Sequence, residues 1–264
     1  MQRQRVRIVT LNTWKGERDY ANRLRCLADG LARIEPDVVL LQEVLVASAG
    51  EIDTGVFLAR ALDMYLCFAP ARRKRRRVGE RSVDCYSGLA ILSRLPLSAT
   101  RILALNSNPR DGERVALWAE CHLGSVVVGL LNVHLTHLDP GDRLRAQQVG
   151  QLVDFLDTRV TDLCVLGGDF NAGVHSPALH RLAGRDDAIS VWDECNAGND
   201  LNTLNFDGRG CIDHLFRFGG GVLGIRWAAL SVALDRPTCD GSFASDHAAV
   251  VADLDLPDGV DVCA

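Results

Sequence analysis

The sequence predicts an α/β fold, and three observations carry that prediction. Short apolar, strand-like segments are interleaved with two segments of helical periodicity, instead of the two types being segregated along the chain. Each helical segment leads into an apolar run that ends on an acid, Glu43 in DVVLLQE and Asp169 in DLCVLGGD. With 264 residues, 47% of them hydrophobic, the chain can bury the core that a helix-covered sheet requires.

The elements follow in order. Arg5 to Leu11 alternates like a strand and stops at Asn12. Residues 17–34 place Ala21, Leu24, Ala28, Leu31 and Ile34 on one helical face. Pro36 cannot continue that helix, and Asp37 to Glu43 reads as a short buried strand. Val115–Leu123 and Val126–His134 are strands joined by Gly124-Ser125, a two-residue hairpin signal. Residues 142–158 form a second amphipathic helix with Leu144, Leu152, Phe155 and Leu156 inward. Further strands are expected at 162–168, 211–217, 222–231 and 248–256. No linker or low-complexity segment divides the chain, so a single domain over 1–264, with its core at about 6–256, is the expectation.

Composition narrows the function classes. The net charge of −5 gives no overall attraction to nucleic acid. Nine cysteines are scattered singly without a C-x-x-C pair, which favours reduced thiols and a cytoplasmic setting over a disulfide framework or zinc knuckle. The N-terminus lacks the apolar run of a signal peptide, and no segment approaches the ~20 apolar residues of a membrane span. Membrane insertion is therefore not expected, and nothing points to a protein partner. One feature departs from the acidic average: six consecutive basic residues, Arg72 to Arg77, read as a loop that is either merely solvated or attracts phosphate.

Polar residues recur where apolar strands end. They are Asn12, Glu43, His134, Asp169 with Asn171, Asp213, and Asp246 with His247. Each alone has a structural explanation, such as a turn or a cap. Together they suggest one shared site, because side chains at strand ends of α/β sheets are where ligands are met. Gly167-Gly168 before Asp169 suggests a tight turn that aims Asp169 and Asn171 outward. Carboxylates and amides are hard oxygen donors, suited to Mg²⁺ or Mn²⁺. His134 and His137 form H-x-x-H, but with no helix under them and no third ligand nearby a zinc site is disfavoured. A hard cation, carboxylates and a His–Asp pair fit phosphoester hydrolysis, and no G-x-S-x-G nucleophile competes.

The segments TLNTW, LLQEV, SGLAILSR, NVHL, GGDFNA, CIDHLF and SDH, in that order, resemble the endonuclease/exonuclease/phosphatase family of DNase I-like fold, over about Val6 to Leu256. The resemblance implies a four-layer α/β sandwich, two mixed β-sheets face to face with helices outside. It implies Glu43 as the main metal ligand with Asn12 and Asp246 beside the same Mg²⁺ or Mn²⁺, and Asp169 activating water with Asn171 touching the phosphate. His247, oriented by Asp213, would contact the scissile phosphate or act as base, and His134 would stabilise the transition state or protonate the leaving oxygen. Family topology brings Arg72, Arg73, Arg75, Arg76 and Arg77 towards that end, with Arg94 as a further supporting residue. His134 stands where repair members carry a tyrosine-bearing segment, which points away from abasic-site cleavage. The implied substrate is a phosphate ester, DNA or RNA for a phosphodiesterase. Phosphomonoesters, lipid or inositol phosphate headgroups, and a non-catalytic phosphate-binding role are the alternatives.

Overall fold

A computed structural model of the chain describes residues 4–48, 50, 52–197, 201–206, 210–220, 223–238 and 241–257. Its strands are β1 (Gln4–Asn12), β2 (Val38–Ala47), β3 (Tyr65–Val78), β4 (Arg81–Ser93), β5 (Ser98–Asn108) and β6 (Gly112–Leu123). They continue with β7 (Val126–His134), β8 (Leu163–Asp169), β9 (Ala188–Ser190), β10 (Asp213–Gly219), β11 (Arg226–Ala233) and β12 (Ala249–Leu256). Three longer helices are α1 (Tyr20–Ile34), α2 (Thr54–Leu62) and α3 (Asp142–Leu156).

Two six-stranded mixed sheets result, in the orders β11-β12-β1-β2-β4-β3 and β5-β6-β7-β8-β10-β9. Each contains one parallel pair joined by a helix, β1-α1-β2 and β7-α3-β8. The inner faces meet in an apolar seam where Ile8, Leu40 and Ile91 pack with Leu117, Leu130 and Val165. Leu27 and Leu31 of α1 and Leu58 of α2 cover Val9 and Leu41 on the outside of the first sheet. Val149 and Leu152 of α3 cover Leu131, Leu166 and Phe216 on the outside of the second. Helices, sheet, sheet, helices: the four-layer sandwich implied by the resemblance is the fold.

Local chemistry accounts for the element ends. Asp19 caps α1 by accepting the Asn22 N–H at 3.2 Å, and Glu35 closes the helix in the left-handed region, at φ 52°, just ahead of Pro36. On this helix Ala21 is exposed while Arg23 and Leu27 are buried, so the inward face is rotated from the expected one. Polar groups also cross the seam. The Asn132 amide donates to Leu41 O and Ala90 O of the facing sheet, both at 2.8 Å, and Gln42 donates to Asn132 Oδ1 at 2.8 Å.

Three expectations change. The basic run is not a loop: Arg72 to Arg77 lie in β3, paired residue by residue with β4 from Arg72↔Ser87 to Arg77↔Ser82. A strand tolerates such a run because successive side chains leave on opposite faces and stay solvated. Gly167 and Gly168 belong to β8 and make no turn. The strand expected at 222–231 begins at Arg226, and residue 222 is outside the described residues. The seven described cysteines are all free thiols, and Cys239 and Cys263 lie outside the described residues. Among the described residues no helix is long and apolar enough to cross a membrane.

Candidate active site

Strand register assembles the first part of the site. On the second sheet His134 is the partner of Asp169 across the parallel pair, and Asp213 is the partner of Asp169 across the antiparallel one. These three side chains therefore form a row at one end of that sheet. The glycines before Asp169 serve close approach instead of a turn. A Cβ on Gly168 would lie 2.0 Å from Val133 O, at φ 150°, and one on Gly167 would lie 2.4 Å from Leu215 and 2.7 Å from Leu40 of the opposite sheet. Gly168→Ala is expected to cost about 2–3 kcal/mol, read as a lower urea midpoint, because the clash is with backbone and cannot rotate away.

The first sheet supplies the other half. Asn12 ends β1, and its Nδ2 donates across the seam to Asp169 Oδ2 at 3.1 Å while its Oδ1 accepts the Trp14 N–H at 3.0 Å. Glu43 sits where β2 and β4 slip register, at φ 56°, and pairs with the Lys15 ammonium. Trp14, Lys15 and Asn171 also have positive φ, so four of the ten described non-glycine residues in that region belong to this site and its flanks. Before β12, Ser245 Oγ donates to Asn12 O at 2.6 Å and accepts the His247 N–H at 3.2 Å, which fixes Asp246 and His247 against β1.

Asp169 is the hub. Its carboxylate accepts from Asn12 and from the Asn171 backbone N–H (2.9 Å), with His134 Nε2 at 3.4 Å and His247 Nε2 at 3.8 Å. His247 Nδ1 is 2.9 Å from Asp213 Oδ2. Asn171 Nδ2 donates to Leu135 O at 3.1 Å, so this residue reaches the site through its backbone, holding Asp169. The histidines differ in charge. Burial opposes charge on His247, but the carboxylates of Asp213 and Asp169 outweigh it and raise the imidazole well above its usual range. Burial holds the His134 imidazole far below that range, with Arg114 and Lys15 adding to the effect.

The donor set fits a hard cation. Burial raises the carboxyls of Asp169 and Asp246, and the crowding of Asp213 on the first and Glu43 on the second raises them further. Charged His247 partly offsets the rise on both, and the Lys15 ammonium pairs with Glu43. The tightest acid–histidine group among the described residues is Asp169, Asp213 and His247, with ligand atoms within 4.8 Å of one another. Within it, His247 and Asp213 turn their facing atoms on each other, while Glu43 pairs with Lys15 and Asp246 Oδ1 lies 3.3 Å from Ser245 Oγ; the carboxylates are the oxygen donors that a hard cation takes.

Not every candidate converges here. Arg94 sits at the far end of β2, donating to Pro36 O at 2.9 Å; six residues of strand, roughly 20 Å, separate its neighbour Asp37 from Glu43. Of the basic run only Arg72 and Arg76 line the cleft beside Glu43 and His134. Arg75 and Arg77 instead donate to Ser82 Oγ and Gly79 O on their own hairpin. His214 is buried, 2.8 Å from Ala172 O, and packs against Phe170. Sequence reasoning missed Lys15, Asp111 and Arg114, and set His137 aside with the zinc reading. The only signal for Lys15 is its place just after Asn12, and for Arg114 its place at the start of an apolar strand.

Comparison with known proteins agrees with this geometry. The family model described as Endonuclease/Exonuclease/phosphatase family matches residues 9–247. No curated protein matches the chain. Among solved structures, a humanized TDP2 from D. rerio has 16% identity over 95% of this chain and 99% of its own, with a TM-score of 0.76. The D. rerio TDP2 complexed with single strand DNA product has the same identity, coverage and score. An endonuclease/exonuclease/phosphatase from Beutenbergia cavernae has 22% identity over 97% of this chain and 72% of its own, with a TM-score of 0.75. The match of the family model over nearly the whole chain, on two mixed sheets that bring an acid–histidine cluster to one end, establishes that the chain belongs to the endonuclease/exonuclease/phosphatase family.

Proposed function

We propose that the chain is a divalent-metal-dependent phosphodiesterase that cleaves a P–O bond of a nucleic-acid strand by direct attack of water. The observation that carries this reading is the convergence on Asp169 of Asn12 from one sheet and of His134, Asn171 and His247 from other segments, all within 3.8 Å of its carboxylate. Such a hydrogen-bonded carboxylate is placed to orient a water molecule and take its proton. The single strand DNA product bound to one similarly folded protein supports the choice of substrate class.

Glu43 and Asp246, with Asn12, would hold Mg²⁺ or Mn²⁺, whose chemistry is to neutralise phosphate oxygens and the departing oxyanion. Asp169, fixed by Asn12 and the Asn171 N–H, takes the proton of the attacking water. His247, fixed by Asp213, donates its Nε2–H to a non-bridging oxygen. His134, on the other side of Asp169, meets the leaving oxygen. Phosphate charge is met by groups already in position, the kind of preorganisation that lowers a barrier most.

EDTA is expected to reduce hydrolysis by at least about 10³-fold, with Mg²⁺ or Mn²⁺ restoring it. The test is a panel of plasmid DNA, single strands, RNA, a bis-ester, a monoester and inositol phosphates. Turnover only of the monoester or inositol phosphates would replace the diesterase reading. Binding without turnover of any substrate would leave a phosphate-binding protein.

A further inference from the structure

We propose that the cleft beside Glu43 and His134 is a subsite for a second phosphate of the substrate, the one next to the scissile phosphate along a nucleic-acid strand. This rests on the phosphodiesterase reading above and names what that site requires of its substrate. The cleft lies where the β3–β4 hairpin of one sheet meets the start of β6 in the other, and it encloses about 70 Å³. A single water needs roughly 10–15 Å³ on such a measure, so the space suits a group larger than one water.

Its walls are built and, among the described residues, carry four cations against three carboxylates. Arg72 and Arg76 come from β3, Arg114 from β6 and Lys15 from the loop after β1, with Glu43, Asp111 and Glu113 among them. The opposing carboxylates are mostly engaged. Asp111 accepts from Arg114 Nε at 3.0 Å and lies 2.7 Å from His137 Nδ1, while Glu43 pairs with Lys15. Glu113 is the remaining acid on the wall. Hydrogen bonds to Asp111 hold Arg114 in place, and Arg72 is held by donation to Asp111 O at 2.9 Å. Gly112, at φ 85°, makes room for it, since a Cβ there would stand 2.6 Å from Arg72 Cδ.

One donor is conspicuous. Arg76 Nε is shielded from solvent and has no hydrogen-bond partner among the described residues. A shielded guanidinium N–H left unpaired carries a desolvation cost, so the protein itself compensates the Arg76 charge only in part, and Arg76 lines the cleft. Because Lys15, Glu43 and His134 border both this cleft and the hydrolytic site, one phosphate bound there stands beside another at Asp169. A polynucleotide supplies phosphates in such a series.

Two measurements test this. In EDTA, anisotropy of a labelled thymidine dodecamer gives the slope of log K against log salt. In Arg72→Ser/Arg76→Ser the slope is expected to become shallower by about 0.7 for each phosphate that the two guanidinium groups no longer neutralise. Arg33→Ser/Arg60→Ser, with the same reduction in charge on the outer helices, controls for net charge and is expected to change it less. Equal changes in the two double variants would overturn the proposal. Kinetically, with Mg²⁺ or Mn²⁺, a thymidine dinucleotide carrying an additional terminal phosphate at one end should exceed the plain dinucleotide about tenfold in kcat/KM. That ratio should fall towards one in Arg72→Ser/Arg76→Ser. No preference in the wild type for either terminal phosphate would also overturn it. Wild-type inactivity on every diester would instead sink the phosphodiesterase reading, while the binding measurement still reports on the cleft.

Discussion

Asp213→Asn is expected to lower kcat on a phosphodiester by about 10²–10³-fold without loss of fold. Asp213 is fully buried, and its Oδ2 lies 2.9 Å from His247 Nδ1, while Oδ1 has no hydrogen-bond partner among the described residues. Among the described residues the carboxylate therefore hydrogen-bonds that imidazole alone. It fixes the ring orientation and stabilises the positive charge that Nε2 presents beside Asp169, 3.8 Å away. Asparagine keeps the size and can still accept from Nδ1, so packing survives, but the largest part of the attraction that keeps His247 charged is removed. The loss belongs in kcat and not in KM, because the charge on the phosphate oxygens grows as the bond breaks. Steady-state kinetics on a bis-ester, alongside circular dichroism and a urea midpoint, make the check. A kcat within about threefold of wild type in a folded variant, far short of the effect of removing one preorganised donor, would take His247 out of the proposed mechanism.

Arg23→Ala is expected to destabilise the fold by about 3–4 kcal/mol. Arg23 is 2% exposed, and its guanidinium donates to five carbonyl oxygens: Glu17, Thr13, Ala244, Trp14 and Lys15. It also lies under the Trp14 ring, 4.8 Å from the centroid. Four of those carbonyls belong to the loop after β1 that carries Lys15, and the fifth belongs to the loop that leads to Asp246. Truncation leaves several of them without a donor in a space too tight for easy hydration, and removes the link between the two loops. A fall in melting temperature of roughly 10 °C is expected for a chain of this size. Arg23→Lys keeps the charge but has three donors on a point instead of a planar fork, and is expected to lose about half as much. Differential scanning calorimetry decides, and a change below about 1 kcal/mol for Arg23→Ala would show that water replaces the guanidinium.

What is legible in the sequence is the part of the site that interrupts an apolar pattern. Asn12, His134 and Asp169 stand out because a buried strand has no packing reason to end on a polar group, whereas Glu43, expected to end its strand, lies inside β2 at its register slip and Asp213 opens β10. The parallel units β1-α1-β2 and β7-α3-β8 are visible for the same kind of reason, since the change from period two to 3.6 is written locally. Residues whose roles depend on pairing across the two sheets are not legible. Asp111, Arg114 and His137 form a unit only because β6 and the loop after β7 come together. Arg23 reads as an ordinary exposed helix residue until loops fold over it. The arginine run reads as a loop because charge hides its alternation, which only its pairing with β4 reveals. The place of Arg94 after SGLAILS suggests the site, yet the strand it follows runs away from the cleft.

The amides of Gln42 and Asn132 have a consequence for evolution within this scaffold. Three hydrogen bonds across the seam behave as a dowel between two slabs: sliding one sheet along the other by a single residue would break them all, where aliphatic packing alone would merely rearrange. The meeting of Asn12 and Asp169 across the seam is thereby set from below, so the outer helices can drift in composition without shifting the groups that face a phosphorus atom.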